Sequence, residues 1–218
     1  MTLAIFDLDN TLIGGDSDHL WGDYLVARGI IDAGDYKARN DQFYQDYLNG
    51  SLDQMAYLRF AMAVLTQHPL EQLHQWRAEF MRDELSKILL PKASALLQWH
   101  REQGHFLLII TATNDFVTAP IAELLGVDHM LATESELRDG RYTGEIVGVP
   151  CFQDGKIHNL NAWLATTDHT LDGAWFYSDS RNDLPLLEVV DHPVAVDPDD
   201  HLRAVANERG WSVISLRD

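Results

Sequence analysis

Short runs that are apolar on both faces constrain this chain most. They fall at residues 2–8 (TLAIFDL), 106–112 (FLLIITA), 129–133, 174–178 (AWFYS), 192–196 (HPVAV) and 211–216 (WSVISL). A half-buried strand alternates apolar and polar residues. These runs do not, and they suit parallel strands covered by helices on both sides. Helical stretches stand between them, at about 92–103, 116–125, 156–166, 183–190 and 199–209. The alternation predicts an α/β fold with a doubly wound, mostly parallel sheet. Pro120 falls inside 116–125 and is expected to shorten or kink that helix, because it lacks an N–H. Residues 136–149 read as a hairpin turning at Asp139-Gly140.

Residues 16–85 break the alternation and hold no convincing strand. Ser17 is the expected cap of a helix that Gly29 ends. A second helix is expected over 33–48, stopping at Asn49-Gly50, a third over 52–66, and a fourth after Pro69. Apolar spacing in LRFAMAVL and LHQWRAEFM points to a small bundle. The expected organisation is an α/β core of residues 1–15 and 86–218, with a helical bundle cap of residues 16–85 inserted after the first strand.

A chain of 218 residues buries about 70% of its unfolded surface without help from disulfides or metal. Thirty-four acids against 16 bases give a formal net charge of −18. That excludes a broad basic surface, so neither nucleic acid nor an acidic membrane is an expected partner. The lone Cys151 excludes an internal disulfide and a multi-thiolate zinc site, and it is not placed like a nucleophile. MTLAIFDLDN has no basic stretch before a long apolar one, and Phe106 to Ile110 is far too short to span a bilayer. The expectation is a cytoplasmic protein, a monomer or a homodimer. The 10 histidines are scattered and read as surface or packing residues. His19 is the one to follow, because it adjoins Asp16 and Asp18.

Four stretches carry candidate chemistry. Asp7 and Asp9, in FDLDNTL, end the first strand, and ligands of open α/β sheets bind at carboxyl ends of strands. Two unpaired acids there repel each other and imply a divalent cation. The plainer alternative is a turn in which Asp and Asn bond to backbone. Asp179 and Asp183, in FYSDSRNDLPLL, repeat the arrangement, although Asn182 or Asp183 could simply cap a helix. Thr111, in IITATND, offers a strand-end hydroxyl to an anion, or is an ordinary strand threonine followed by Asn114 as a cap. Lys156, in QDGKIHNL, starts a helix, where most lysines are exposed.

Taken in order, Asp-x-Asp-x-Thr, then Thr, then Lys, then Asp-x-x-x-Asp resembles the haloacid dehalogenase-like superfamily. The resemblance covers essentially the whole chain. It implies a Mg²⁺-dependent phosphatase in which Asp7 is the nucleophile and Asp9 the general acid and base. Mg²⁺ would be held by Asp7, Asp9 (through its carbonyl) and Asp179, with Asp183 orienting bound water. Lys156 and Thr111 would bind phosphate, and Asn182 phosphate or substrate. An insertion between the first two motifs resembles the phosphoserine-phosphatase-like branch, subfamily IB. That branch uses a cap arginine for the serine carboxylate. The matching position here is Ala61, and Arg59 should face elsewhere on the helix.

The opening FDLDNTLIGGDSDHLWGDYL resembles a bacterial group of subfamily IB that includes histidinol-phosphate phosphatases. The implied substrate is a small phosphorylated metabolite, L-histidinol phosphate first, in histidine biosynthesis. Asp16, Asp18, Asn40 and Asp41 would suit its amine, and Tyr44 or Tyr47 its imidazole. Phosphoserine, other small phosphomonoesters and transfer to another alcohol remain alternatives.

Overall fold

β1 (Leu3–Phe6) is buried at every residue, in a computed structural model that describes residues 1–217. After it come four helices: α1 (Ser17–Ala27), α2 (Ala33–Asn49), α3 (Gln54–Thr66) and α4 (Leu70–Asp83). The chain then alternates: α5 (Pro91–Glu102), β2 (Phe106–Asn114), α6 (Asp115–Leu125), β3 (His129–Arg138) and β4 (Arg141–Val147). It continues through α7 (Asp154–Leu164), β5 (Trp175–Ser178), α8 (Leu184–Leu187), β6 (His192–Val196), α9 (Asp200–Arg209) and β7 (Ser212–Ile214).

The strands form one sheet in the order β4-β3-β2-β1-β5-β6-β7. Every pair is parallel except the β3–β4 hairpin, as the apolar runs predict. The hairpin turns at Asp139 and Gly140, both at positive φ. Strand order reverses at β1, whose neighbours are β2 on one side and β5 on the other. Such a reversal opens a crevice at the strands' carboxyl ends.

Strand residues point alternately to opposite faces. Leu3 and Ile5 therefore join one apolar layer with Leu108, Phe176 and Leu160, while Ala4 and Phe6 join another with Ile109 and Tyr177. The second layer does not stop at the sheet. It continues into α1 and α4, where the Trp21 ring lies 5.4 Å from Phe80 and 5.7 Å from Phe116 of α6. The inserted helices thus pack onto the sheet's second layer, and Met62, Val64 and Leu65 of α3 belong to the same cluster. Within the insertion, Tyr36 of α2 stacks on Phe60 of α3 at 4.5 Å. The two crossings between sheet and insertion run side by side, with Ile13 bridged to Leu89 and Gly14 N–H bonded to Ile88 carbonyl at 2.7 Å.

Three local expectations are corrected. Pro120 does not shorten α6, which runs unbroken over Asp115–Leu125. The carbonyl that proline leaves without a helical donor, Phe116, accepts Arg77 Nη1 at 2.6 Å. Asp16, not Ser17, caps α1, and its Oδ1 accepts the N–H groups of Asp18 and His19 at 3.0 and 2.8 Å. The helix expected over 183–190 is a 3₁₀ turn (Arg181–Asp183) followed by the single turn α8, and the Ser180 hydroxyl caps it. Among the described residues no helix is long and apolar enough to cross a membrane.

Candidate active site

Asp7 follows β1 directly, and its N–H bonds to the Tyr177 carbonyl at 2.9 Å, extending the β1–β5 ladder by one residue. Parallel pairing therefore brings Asp7, Thr111 three residues before the end of β2, and Asp179 after β5 to one edge. Lys156 enters from the first turn of α7. Its Nζ donates to Asp7 Oδ1 and to Asp183 Oδ2, both at 2.8 Å. All three side chains are buried. Lys156 is thus not an exposed lysine, and Asp183, though it stands at the N-cap of α8, makes no side-chain capping bond: its Oδ2 also accepts the Ser178 hydroxyl at 2.7 Å. The Thr11 hydroxyl stands between Asp179 Oδ1 (3.1 Å) and Asp7 Oδ2 (3.4 Å), and it accepts the Asp179 N–H at 3.1 Å.

Carboxylates outnumber cations here. Burial first, then the neighbouring Asp183 and Asp9, push the Asp7 carboxyl up to about 7 despite Lys156. Burial, Asp7 and Asp183 push Asp179 well above the ordinary carboxylate range. Burial also works against the Lys156 charge, but Asp183 and Asp7 outweigh it and hold the ammonium protonated. Asp9 is raised to about 6 by burial and by Asp16, against hydrogen bonds from Ser17 and Thr113. Burial and the closeness of the carboxyls to one another account for these raised values. The donors are all hard oxygens, which fits Mg²⁺ better than a softer metal.

A cavity with about 730 Å³ of empty space, counted out to its open mouth, lies at this edge, and Asp179 is not among its lining residues. Asp7, Asp9, Thr111, Lys156, Asn182 and Asp183 line its sheet side. Asp16, His19, Asn40, Tyr44 and Tyr47 line it from the inserted segment. α1 and α2 approach closely because of Gly22, where a Cβ would stand 2.7 Å from Asn40 Nδ2. Asp18 does not line the cavity: it is buried behind it, bonded to Tyr57 and Asn114. Nor does Asp41, which pairs with Lys37 at 3.2 Å. Ala61 is absent from the lining, and Arg59 is exposed. The sequence reading missed Phe43, Tyr57 and Phe152, which make the lining aromatic, and Thr113, which bonds to Asp9. Thr113 stands two residues after Thr111, on the same face of an extended strand, and that spacing was the available signal.

Residues 4–188 match the haloacid dehalogenase-like hydrolase family model. A histidinol-phosphatase of Neisseria meningitidis serogroup C (strain 8013) is 45% identical over 219 residues, 99% of each chain. A protein of unknown function from Bordetella pertussis Tohama I superposes with a TM-score of 0.93 at 43% identity, over 99% of this chain and 100% of that one. A substrate-bound phosphoserine phosphatase shares the fold, with a TM-score of 0.71 at 16% identity over 99% of this chain and 93% of its own. The chain belongs to the haloacid dehalogenase-like hydrolases. Within them it is a phosphoric monoester hydrolase.

Proposed function

We propose that this hydrolase cleaves L-histidinol phosphate to L-histidinol, through an aspartyl-phosphate on Asp7 and with Mg²⁺ as its metal, in cytoplasmic histidine biosynthesis. The observation that carries the mechanism is the buried Lys156 ammonium, 2.8 Å from both Asp7 and Asp183 at the edge where Thr111 and Asp179 also stand.

Asp7 attacks phosphorus, the bond to the leaving alcohol breaks, and Asp9 gives that oxygen a proton. Asp9 then takes a proton from the water that attacks the phosphoryl group, and Asp7 is released. Lys156 and Thr111 hold the phosphate oxygens, with Asn182 beside them. Asp7, Asp179 and the Asp9 carbonyl would hold Mg²⁺, with Asp183 orienting its water. The ion supplies positive charge that offsets repulsion between the nucleophile and the phosphate.

The substrate reading rests on what surrounds the leaving group. Aromatic rings line the insertion side of the cavity, Asp16 lines it too, and no arginine lines it among the described residues. That lining suits an alcohol bearing an amine and an imidazole but no carboxylate. It does not suit phosphoserine, whose carboxylate would meet no cation besides the one on the phosphate. The Neisseria relative's name agrees. The helices of residues 16–85 act as a cap that closes over the substrate.

Steady-state kcat/KM across histidinol phosphate, phosphoserine and sugar phosphates tests the substrate. Histidinol phosphate should exceed the others by about 100-fold. Equal values overturn the assignment. Wild-type hydrolysis by Asp7→Asn overturns the mechanism.

A further inference from the structure

Asp9 is held on both of its oxygens. Oδ1 accepts the Ser17 N–H at 2.6 Å, and Oδ2 accepts the Thr113 hydroxyl at 2.8 Å. The two donors come from different parts of the chain. Ser17 opens α1, on the inserted side, and Thr113 is the penultimate residue of β2, on the sheet side. All three residues are buried. Thr113 is itself fixed, because its N–H bonds to Thr111 Oγ1 at 3.2 Å.

A carboxyl group on one hydrogen bond can swing about it. One held on both oxygens has a single orientation while both bonds last, and its remaining lone pairs point in set directions. General acid catalysis needs the donor within hydrogen-bond reach of the leaving oxygen and correctly aimed. The Ser17 contact is a backbone group, present whatever the side chain. The Thr113 hydroxyl is the part of this clamp that the sequence chooses.

We propose that Thr113 is a positioning residue that aims the Asp9 carboxyl at the leaving-group oxygen. The proposal rests on the reading of Asp9 as the acid. In the step concerned, the bond from Asp7 to phosphorus forms and the bond from phosphorus to the alcohol oxygen breaks. Its electron pair stays on that oxygen, which takes the proton from Asp9. Thr113 exchanges no atom.

Leaving-group dependence separates this role from a merely structural tie between β2 and α1. An alkyl phosphate such as histidinol phosphate needs the proton. p-Nitrophenyl phosphate does not, because its phenolate departs unaided. The ratio of kcat/KM for the two esters, measured on one preparation, is independent of how much protein is folded. Thr113→Val removes the donor at nearly constant shape and should lower the alkyl-to-aryl ratio by about tenfold or more. Thr113→Ser restores the hydroxyl and should return the ratio to within about threefold of wild type. A ratio unchanged in Thr113→Val overturns the proposal, whether both rates fall together or neither falls. Asp9→Asn is the control. If it too leaves the ratio unchanged, the reading of Asp9 has failed. If it collapses the ratio while Thr113→Val does not, Thr113 alone has been misread.

Discussion

Asp18 and Tyr57 join the inserted helices to the sheet: Asp18 Oδ2 accepts the Tyr57 hydroxyl of α3 at 2.6 Å, while its Oδ1 accepts Asn114 Nδ2 from the end of β2 at 3.1 Å. The acid is buried, so it depends on both donors. Tyr57→Phe leaves one oxygen unpaired and should destabilise the protein by about 1–3 kcal/mol. It should also raise KM, because the ring at residue 57 lines the cavity and loses the bond that holds it in place. Asp18→Asn should have a similar effect on stability, since an amide accepts through one atom where two acceptors are needed. Urea unfolding of both variants checks this. A Tyr57→Phe midpoint equal to wild type would show that the pair ties nothing.

Lys156→Met removes the partner of both Asp7 and Asp183. Breaking a buried ion pair from one side costs about 3–5 kcal/mol, more than the pair itself contributes. Turnover should fall by about 10²–10³ as the phosphate loses its ammonium. Lys156→Arg should not rescue it, because the wide planar guanidinium cannot take the position of a compact ammonium between two carboxylates. Near wild-type turnover by either variant contradicts the role of Lys156.

Acid should stabilise the metal-free protein over part of the pH range. Asp7 is raised to about 7 and Asp9, Asp16 and Asp18 to about 6, burial being the first cause of each. For a carboxyl raised in the folded state, the folded form binds protons more tightly than the unfolded one. Its stabilising contribution is complete below the unfolded value near 3.8 and is lost as pH rises through about 6 to 7. Without metal, Tm should therefore climb as pH falls from 8 to about 5.5. Mg²⁺ should raise Tm most at pH 8, by the equivalent of about 2.7 kcal/mol at a hundredfold excess over its Kd. His100 opposes the trend further down. It is buried between Tyr177 and His105, and burial with the nearby His105 lowers it to about 4. Its contribution is complete above about 6.5 and is lost as pH falls through 4. Thermal scans from pH 4 to 8 with chelator or Mg²⁺ check both limbs. A metal-free Tm that falls steadily from pH 8 to 5.5 refutes the first.

Most of the sheet is legible in the sequence because buried parallel strands are apolar on both faces. The run HPVAV coincides with β6, and FLLIITA grows by only two residues into β2. Asp7, Asp179, Thr111 and Lys156 are legible for a related reason, since the fold carries strand ends and helix starts to one edge. Contacts across elements are not legible. Nothing local to SDHL says that the Asp18 side chain turns away from the cavity toward Tyr57, 39 residues on. Nothing local to Pro120 announces Arg77 as the donor that keeps α6 whole. The aromatic lining escaped because Phe43 and Tyr57 look like ordinary helix-packing residues until α2 and α3 are set side by side.

Gly155 sets the position of Lys156. A Cβ there would stand 2.0 Å from the Pro150 carbonyl oxygen, a backbone atom that cannot turn aside. The turn is already tight: the Gly155 N–H bonds to the Phe152 carbonyl at 2.8 Å, and Gln153 adopts φ 48°. Gly155→Ala must therefore move the first turn of α7 or the 150–153 segment, and Lys156 Nζ with it. Stability should fall by about 1–3 kcal/mol, as for other overpacked sites. kcat/KM should fall on every phosphate ester alike, because the phosphate end of the site is disturbed and not the leaving-group end. Gly148→Ala is the control. It carries the strain of a positive φ, at 71°, with no atom within 4 Å of the new methyl. It should lower Tm slightly and leave the kinetics alone. Equal kcat/KM losses in the two variants would mean that the loop, not the placement of Lys156, is what the reaction senses.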